Sequence, residues 1–408
     1  VIGRGVFPRD FDRVLFASLV ALLLIGLLMV FSAGRTSEGP MPKLHLKQIL
    51  WAVVGLGGLA AAIAIPYKTF DALAIPLYVL GVFLLLVVLA AQGTALVRDR
   101  WILIGPIQFQ PSEVAKFGLI FVLARHLSGL KTNRATFARI VAPILLTILP
   151  LILILKEPDL GTSLTLAGVL FPVLYWSGVP LMTLFFLVSP LFAVLASLHL
   201  ITFVLYLAVL FALLAYGRER NLFVLLTVLI VNLGAGIARP ILWNHLKPYQ
   251  QGRIISFINP NDTLGSAYQI IQSKVAIGSG GLLGKGYLEG TQKGLSFLPE
   301  QHTDFIYSVV GEELGLIGCC LILLLFGVVI VRAIGIATHA KNRFGSLLVL
   351  GIASLIAFQV VVNIGMTLGM LPVTGIPLPL VSYGGTSLAT TLFGIGLVLN
   401  VGMHRRDY

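Results

Sequence analysis

Apolar residues in this chain run in stretches of about 20, too long and too uniform for the one-sided stripe of a soluble helix or the alternation of a strand. Each stretch predicts a membrane-crossing helix. The first covers Val14–Ala33, the second Ile49–Pro66 and the third ends near Ala91. An interruption follows, Gln92–Gln110, with Arg98-Asp-Arg-Trp101 and Phe109-Gln-Pro. It is too polar to span and too apolar to float free, so it reads as interfacial or re-entrant. The fourth span opens at Pro111-Ser-Glu-Val-Ala-Lys116, where Pro, Ser and Glu mark a helix start. A basic loop, Arg125–Arg139, leads to a fifth span ending at Leu155. After Lys156-Glu-Pro-Asp-Leu-Gly-Thr162 a sixth span runs to Trp176. Pro180–Tyr216 is too long for one crossing and reads as two, broken near Ser197–His199. Past the basic turn Gly217–Arg220 another span ends near Leu242, and the final three cover Phe305–Val331, Leu347–Gly365 and Leu388–Val401. The expectation is an all-α polytopic bundle of about ten to twelve spans, built as one domain over residues 1–408.

One stretch breaks the pattern. Trp243–Asp304 is polar and carries Lys247, Arg253, Lys274, Lys285 and Lys293 beside Asp262, Glu289, Glu300 and Asp304. Its glycine and proline density predicts a folded loop with short helices. An ordered loop of this length between spans points to function.

Composition supports the class: 58% of residues are hydrophobic and 11% charged. A β-barrel would alternate in short segments instead. The net charge of +12 suggests nucleic acid at first sight, but most of it lies in loops between spans and reads as topology. The N-terminus, Arg125–Arg139, Arg218–Arg220, Arg332–Arg343 and the tail alternate onto one side, which is then cytoplasmic. The large loop, Arg98–Gln110, Lys156–Thr162 and Met370–Ser382 share the other. The first apolar run shows no small-residue cleavage site and reads as a signal anchor. The only cysteines, Cys319 and Cys320, are adjacent in an apolar run, which argues against a disulfide or zinc site.

Several charges need more than topology. Glu113 and Lys116 lie three apart on one helix face, fit either for an ion pair at the lipid boundary or for lining a polar cleft. Asp159 suits a helix N-cap and equally a site. Asp304 also reads as a cap, yet Glu300, His302 and Asp304 crowd one polar segment where a carboxylate could act as general base. Of the adjacent Glu312 and Glu313, one is expected to face a partner and one the cavity. Gly278–Gly286 with Lys274 and Lys285 resembles an anion-binding surface, weakly, and lacks the spacing of an ATP-binding loop. The Pro- and Gly-rich stretch Met370–Ser387 is expected to close the cavity beside the large loop.

These landmarks together resemble the SEDS family (shape, elongation, division and sporulation) of bacterial peptidoglycan glycosyltransferases. The resemblance covers nearly the whole chain. It rests on Arg100-Trp101, Phe109–Lys116, Pro158–Thr162, Tyr268–Ser273, Phe297–Phe305, Gly311–Gly315 and Ser382–Ser387. Gly290-Thr-Gln292 and Pro372–Pro379 carry the wording of the elongation branch rather than the division branch. Family members typically have ten spans. The apolar stretch near Pro180–Asn232 is longer here, and either two extra spans or a hairpin that does not cross would keep the large loop on its side.

The resemblance implies polymerisation of lipid II into glycan strands at the outer face of the bacterial cytoplasmic membrane, during cell elongation and rod-shape maintenance. Asp304 is the expected base, with Glu113, Lys116 and Asp159 completing the catalytic set. Arg100, Trp101, Lys274, Lys285, His302 and Ser382 form the expected substrate-binding set. Lys116 is expected to stabilise the leaving pyrophosphate, helped by Arg100, Lys274 or Lys285. Glu113 and Asp159 either orient Lys116 or hold a divalent cation, magnesium or manganese, on the pyrophosphate; no other cofactor is implied. The expected partners are lipid II, membrane lipids, a class B penicillin-binding protein transpeptidase and the elongation complex, with no nucleic acid. The competing class is a flippase for lipid-linked precursors, which would place its ionisable groups near the bilayer midplane.

Overall fold

Helices follow the apolar runs, and glycine decides how closely they approach. The computed structural model describes residues 11–36, 39–40, 44–94, 97–98, 100–105, 107–130, 136–216, 222–258, 266–294 and 300–404. The N-terminal basic segment before Phe11, the turn Gly217–Arg220 and the tail beyond His404 lie outside these residues. Contacts divide the chain into two units, Val1–Ser177 with Pro260–Tyr408, and Gly178–Asn259.

The larger unit begins with α1 (Arg13–Ala33), a ribbon of β1 (Arg35–Thr36) and β2 (Gly39–Pro40), α2 (Leu44–Ala64) and α3 (Tyr67–Ala90). The interruption read as interfacial or re-entrant folds as a small antiparallel sheet: β3 (Val97–Arg98), β4 (Trp101–Ile104) and β5 (Ile107–Phe109). Arg98 pairs with Trp101 and Ile104 with Ile107, so Arg100 falls in the tight β3–β4 turn. The all-α expectation thus needs these two small sheets added. Next come α4 (Pro111–Ser128), α5 (Thr136–Lys156) and α6 (Leu160–Trp176).

The smaller unit holds α7 (Leu181–Ala196), α8 (Leu200–Tyr216), α9 (Leu222–Ile237), α10 (Arg239–His245) and α11 (Pro248–Ile258). The break between α7 and α8 lies at residues 197–199, where the hydrophobic pattern places it. Buried Asn232 ties this unit together: its amide donates to Ser189 Oγ (2.8 Å), and its carbonyl accepts from the Tyr206 hydroxyl (2.8 Å). Polar groups in an apolar bundle need such partners.

The larger unit resumes with α12 (Ser266–Ser279), α13 (Thr291–Gly294), α14 (Ile306–Thr338), α15 (Arg343–Thr367) and α16 (Gly385–Met403). Six described helices are long and apolar enough to cross a membrane unaided: α1, α2, α5, α14, α15 and α16. The expected ten to twelve are reached only with the shorter apolar helices, the α9–α10 pair bent by 49°, and α4, whose charges lower its apolar character. Centrality shows in burial. α15 and α16 bury 78% of their spanning windows, whereas α2 buries 28% and leaves Val53 and Leu50 to lipid.

Two features position the site. Helix α4 lies tight against α3 because Gly118 and Gly81 leave no room for a Cβ. One added at Gly118 would meet the Leu77 carbonyl oxygen at 2.8 Å, and one at Gly81 the Ala115 Cα at 2.8 Å. Helix α14 is broken at Gly315 (φ 66°). There the Gly-rich stretch docks: Lys285 and Gly286 donate their N–H groups to the carbonyls of Glu312 and Glu313 (3.0 and 3.1 Å). In return Gly281 and Leu282 accept from Leu316 and Ile317 (2.9 and 3.2 Å). The anion-binding surface expected here is therefore not formed by these amides, which cap a broken helix.

Gly118→Val should force α4 away from α3. We expect a loss of about 1–3 kcal/mol in stability, read as a lowered unfolding temperature in nanodiscs, while Gly57→Ala, which meets nothing within 4 Å, should leave it unchanged.

Candidate active site

Glu113, Lys116, Asp159 and Asp304 enter the site from the starts of helices, and Arg100 from the β3–β4 turn. Pro111 opens α4 and places Glu113 and Lys116 in its first turns. Lys116 Nζ donates to Glu113 Oε1 at 2.8 Å, and the two side chains are only 4% and 6% exposed. Glu113 Oε2 accepts from the Thr390 hydroxyl of α16 at 2.9 Å. The ion-pair and cleft-lining readings are both realised, since the pair borders a cavity.

Asp159 is the N-cap of α6 and is also buried in this cavity's wall. Its Oδ1 accepts from the Thr162 N–H (3.0 Å). Its Oδ2 accepts from the Thr162 hydroxyl (2.8 Å) and the Gln110 amide (3.1 Å), and pairs with Arg100 at 3.0 Å. Arg100 is 34% exposed, so this pair is open on its cationic side.

Asp304 precedes α14, but Phe305 is the N-cap and no side chain caps that helix. The capping reading of Asp304 therefore does not describe its side chain. Its segment is held by its backbone. Asn363 of α15, fully buried, donates from Nδ2 to the Asp304 carbonyl (2.9 Å) and the Ile376 carbonyl (2.7 Å). Ser382 Oγ donates to the Thr303 carbonyl (2.6 Å) and accepts from the Leu378 N–H (2.8 Å). The Tyr383 N–H donates to the His302 carbonyl (2.8 Å). The Pro- and Gly-rich stretch thus closes the cavity, as predicted for it, with Gly375 to Pro377 and Tyr383 in the lining.

The cavity measures about 360 Å³. It brings together Asp304, Glu113, Lys116, Asp159, Arg100 and Trp101. The other four expected residues lie outside its lining. Lys274 is exposed on α12, beside the Gly369 turn. Lys285 pairs with buried Glu312 at 2.8 Å and donates to Thr291 (2.8 Å). His302 stacks at a tilt on Tyr383, and burial pushes its pKa down, against the pull of Glu300. Ser382 serves the backbone. Glu312 and Glu313 both turn away from the cavity as well: Glu312 takes Lys285, Thr291 and the Gln292 N–H, and Glu313 takes Ser32 (2.5 Å). Sequence reasoning missed Gln110, Thr162, Gln359 and Tyr383 in the lining, and Thr390 behind it. Gln110, Thr162 and Tyr383 each sit within a quoted motif; Gln359 is a lone amide in an apolar run and gave no signal.

A resident divalent cation does not fit this donor set. Among the described residues no three His, Cys, Asp or Glu gather as ligands. Both oxygens of Glu113 and of Asp159 are already engaged by donors.

Behind Asp159 lies an acid with a different environment. Glu157 is 2% exposed, and among the described residues neither carboxylate oxygen has a hydrogen-bond partner. Burial first, then the nearby Asp159 charge, push its pKa up to about 8, against the opposing pull of Arg100.

Fold and site together define a polytopic membrane protein with a charged cavity at one end of its helices. The family model for the cell cycle proteins FtsW, RodA and SpoVE matches residues 12–208 and 199–407. The chain belongs to that family. It is 36% identical over 397 residues to the peptidoglycan glycosyltransferase MrdB of Escherichia coli K12, covering 97% of this chain and 94% of MrdB. It is 34% identical over 430 residues to the peptidoglycan glycosyltransferase RodA of Treponema pallidum, covering 98% of each. Among solved structures it is similar to a chain of a peptidoglycan synthase complex that coordinates polymerization and crosslinking (TM-score 0.72, 32% identity, 98% of this chain and 99% of that one). It is also similar to the rod shape determining protein RodA of Thermus thermophilus (TM-score 0.64, 28% identity, 98% of each).

Two predictions follow from these environments. Lys116→Met leaves Glu113 buried and unpaired and should cost about 3–5 kcal/mol. The double variant Glu113→Gln/Lys116→Met should recover most of that stability in thermal unfolding. Glu157 is neutral in the folded chain up to about pH 8 but ionises near 4.5 when unfolded, so its contribution is intact below pH 4.5 and lost as pH rises through about 8. Glu157→Gln should therefore match the parent at pH 4 and exceed it in unfolding temperature at pH 8.5.

Proposed function

We propose that this chain is a peptidoglycan glycosyltransferase that polymerises lipid II, acting in cell elongation. The observation that carries the reading is the convergence of Asp304 with the Lys116–Glu113 and Arg100–Asp159 pairs on one cavity. The relatives' names supply the reaction class.

Polymerisation joins the 4-hydroxyl oxygen of one sugar to the anomeric carbon of another. The bond from that carbon to the pyrophosphate oxygen breaks, and the electron pair leaves with the polyprenyl pyrophosphate. Asp304 takes the hydroxyl proton. Lys116 and Arg100 offset the charge that develops on the leaving oxygen. Trp101 and Tyr383 give the sugars two aromatic walls.

The charged groups favour a one-sided enzyme over a flippase. Glu113 and Lys116 lie in the first turns of α4, Asp159 at the start of α6 and Asp304 just before α14. All sit at helix beginnings, not at the midplane where an alternating-access site belongs. That end faces outward in our reading, with both termini cytoplasmic in a bacterial inner membrane. Similarity to a synthase chain that coordinates polymerization with crosslinking supports a class B penicillin-binding protein as partner.

The test is glycan-strand formation from purified lipid II by the protein in nanodiscs, with and without that transpeptidase. Asp304→Asn should lower polymer yield at least about 100-fold, as loss of a general base does, while its unfolding temperature stays near the parent's. Polymer from the variant at the parental rate would remove Asp304 from the chemistry.

A further inference from the structure

Gln359 is the one uncharged amide of α15 in the cavity wall. It is 3% exposed, and its side chain borders the cavity. Its neighbours on the helix, Phe358 and Val360, are apolar. A buried amide without partners is unfavourable unless something else bonds it. Several other polar groups of the lining are matched within the protein. Glu113 holds Lys116 and Thr390, Asp159 holds Arg100, Gln110 and Thr162, and the Thr165 hydroxyl donates to the Gly161 carbonyl (2.9 Å). Gln359 is thus a neutral group facing the cavity with both a donor and an acceptor to offer.

That chemistry selects among the parts of a lipid-linked disaccharide. A pyrophosphate offers only acceptors and is served by the cations. A 2-acetamido group offers an N–H on one edge and a carbonyl on the other, and either edge finds its complement on the glutamine amide. Resting on the polymerase reading above, we propose that Gln359 is a specificity-determining residue that reads the 2-acetamido group of the substrate sugar. A hydroxyl in its place ends short of where the acetamido's carbonyl oxygen reaches, so the glutamine loses that partner, which is how a polar site rejects an analogue.

The experiment compares the parent, Gln359→Leu and Gln359→Asn in nanodiscs. The substrates are lipid II and two synthetic analogues, each with a hydroxyl in place of the acetamido group on one of the two sugars. Both kcat/KM and direct binding of a fluorescent form of each lipid are measured. The parent should prefer lipid II over one analogue by on the order of 10- to 100-fold. Gln359→Leu should reduce that ratio to near one by losing performance on lipid II alone, and the shortened amide of Gln359→Asn should fall between. Whichever analogue shows the effect names the sugar. A ratio unchanged in Gln359→Leu overturns the proposal, as does a parent that does not discriminate. If Gln359→Leu does not fold, an unchanged ratio in Gln359→Asn overturns it in the same way. If the parent makes no polymer, the polymerase reading fails on its own, and the binding ratios still decide the role of Gln359.

Discussion

An ionised side chain inside an apolar bundle is stable only when an opposite charge and hydrogen-bond donors or acceptors are built around it. This constraint organises the larger unit. Lys116 and Glu113 neutralise each other, and Thr390 carries the link from α4 to α16. Arg100 and Asp159 neutralise each other, and Gln110 and Thr162 carry that link from the β3–β4 turn to both α4 and α6. The cavity is the space these two networks enclose. It also collects the N-terminal ends of α4, α6 and α16, whose unsatisfied amides favour negative charge. The two ion pairs cancel in charge, and Glu300 and Asp304 of the same lining add two carboxylates beyond them.

The same constraint explains how an irregular segment survives at this depth. The stretch that presents Asp304 has few helical bonds of its own, and side chains replace them. Asn363 and Ser382 bond the carbonyls of Asp304 and Thr303, and Gln48 of α2 bonds the Ser382 carbonyl (3.2 Å) from the other side. The Gly-rich stretch solves its own problem differently, by splicing into the break at Gly315 so that each supplies the other's missing partners. Glycine is required there, since a Cβ at Gly284 would meet the Glu313 carbonyl oxygen at 2.1 Å. Both segments are rich in exposed-looking polar residues in the sequence, and only one of them lines the cavity.

This difference marks what the sequence could and could not reveal. The spans were legible because lipid demands long apolar runs, and Glu113, Lys116 and Asp159 were legible because charge beside such runs needs an explanation. Lys274, Lys285 and Gly278–Gly286 carry the same surface signal of cations and amides, but Lys285 and the Gly-rich stretch are partnered by α14 and Lys274 lies beside the Gly369 turn, contacts that no local pattern encodes. The β3–β5 sheet was missed because its strands are two to four residues long, below the length at which alternation is visible. Gln359 was invisible because an amide in an apolar run reads as an ordinary helix residue until the cavity beside it is known.

The two ion pairs are not equivalent, and the difference bears on turnover. Lys116 is nearly sealed, held by one carboxylate oxygen on its own helix, so it forms part of a fixed field. Arg100 sits in a tight turn, a third exposed, and shares Asp159 with three other donors. Withdrawing Arg100 leaves Asp159 bonded to Thr162 and Gln110, whereas withdrawing Lys116 leaves Glu113 with the Thr390 hydroxyl alone. Under the proposed function Arg100 is therefore the cation able to turn toward a leaving anion, and Lys116 the one that stays in place.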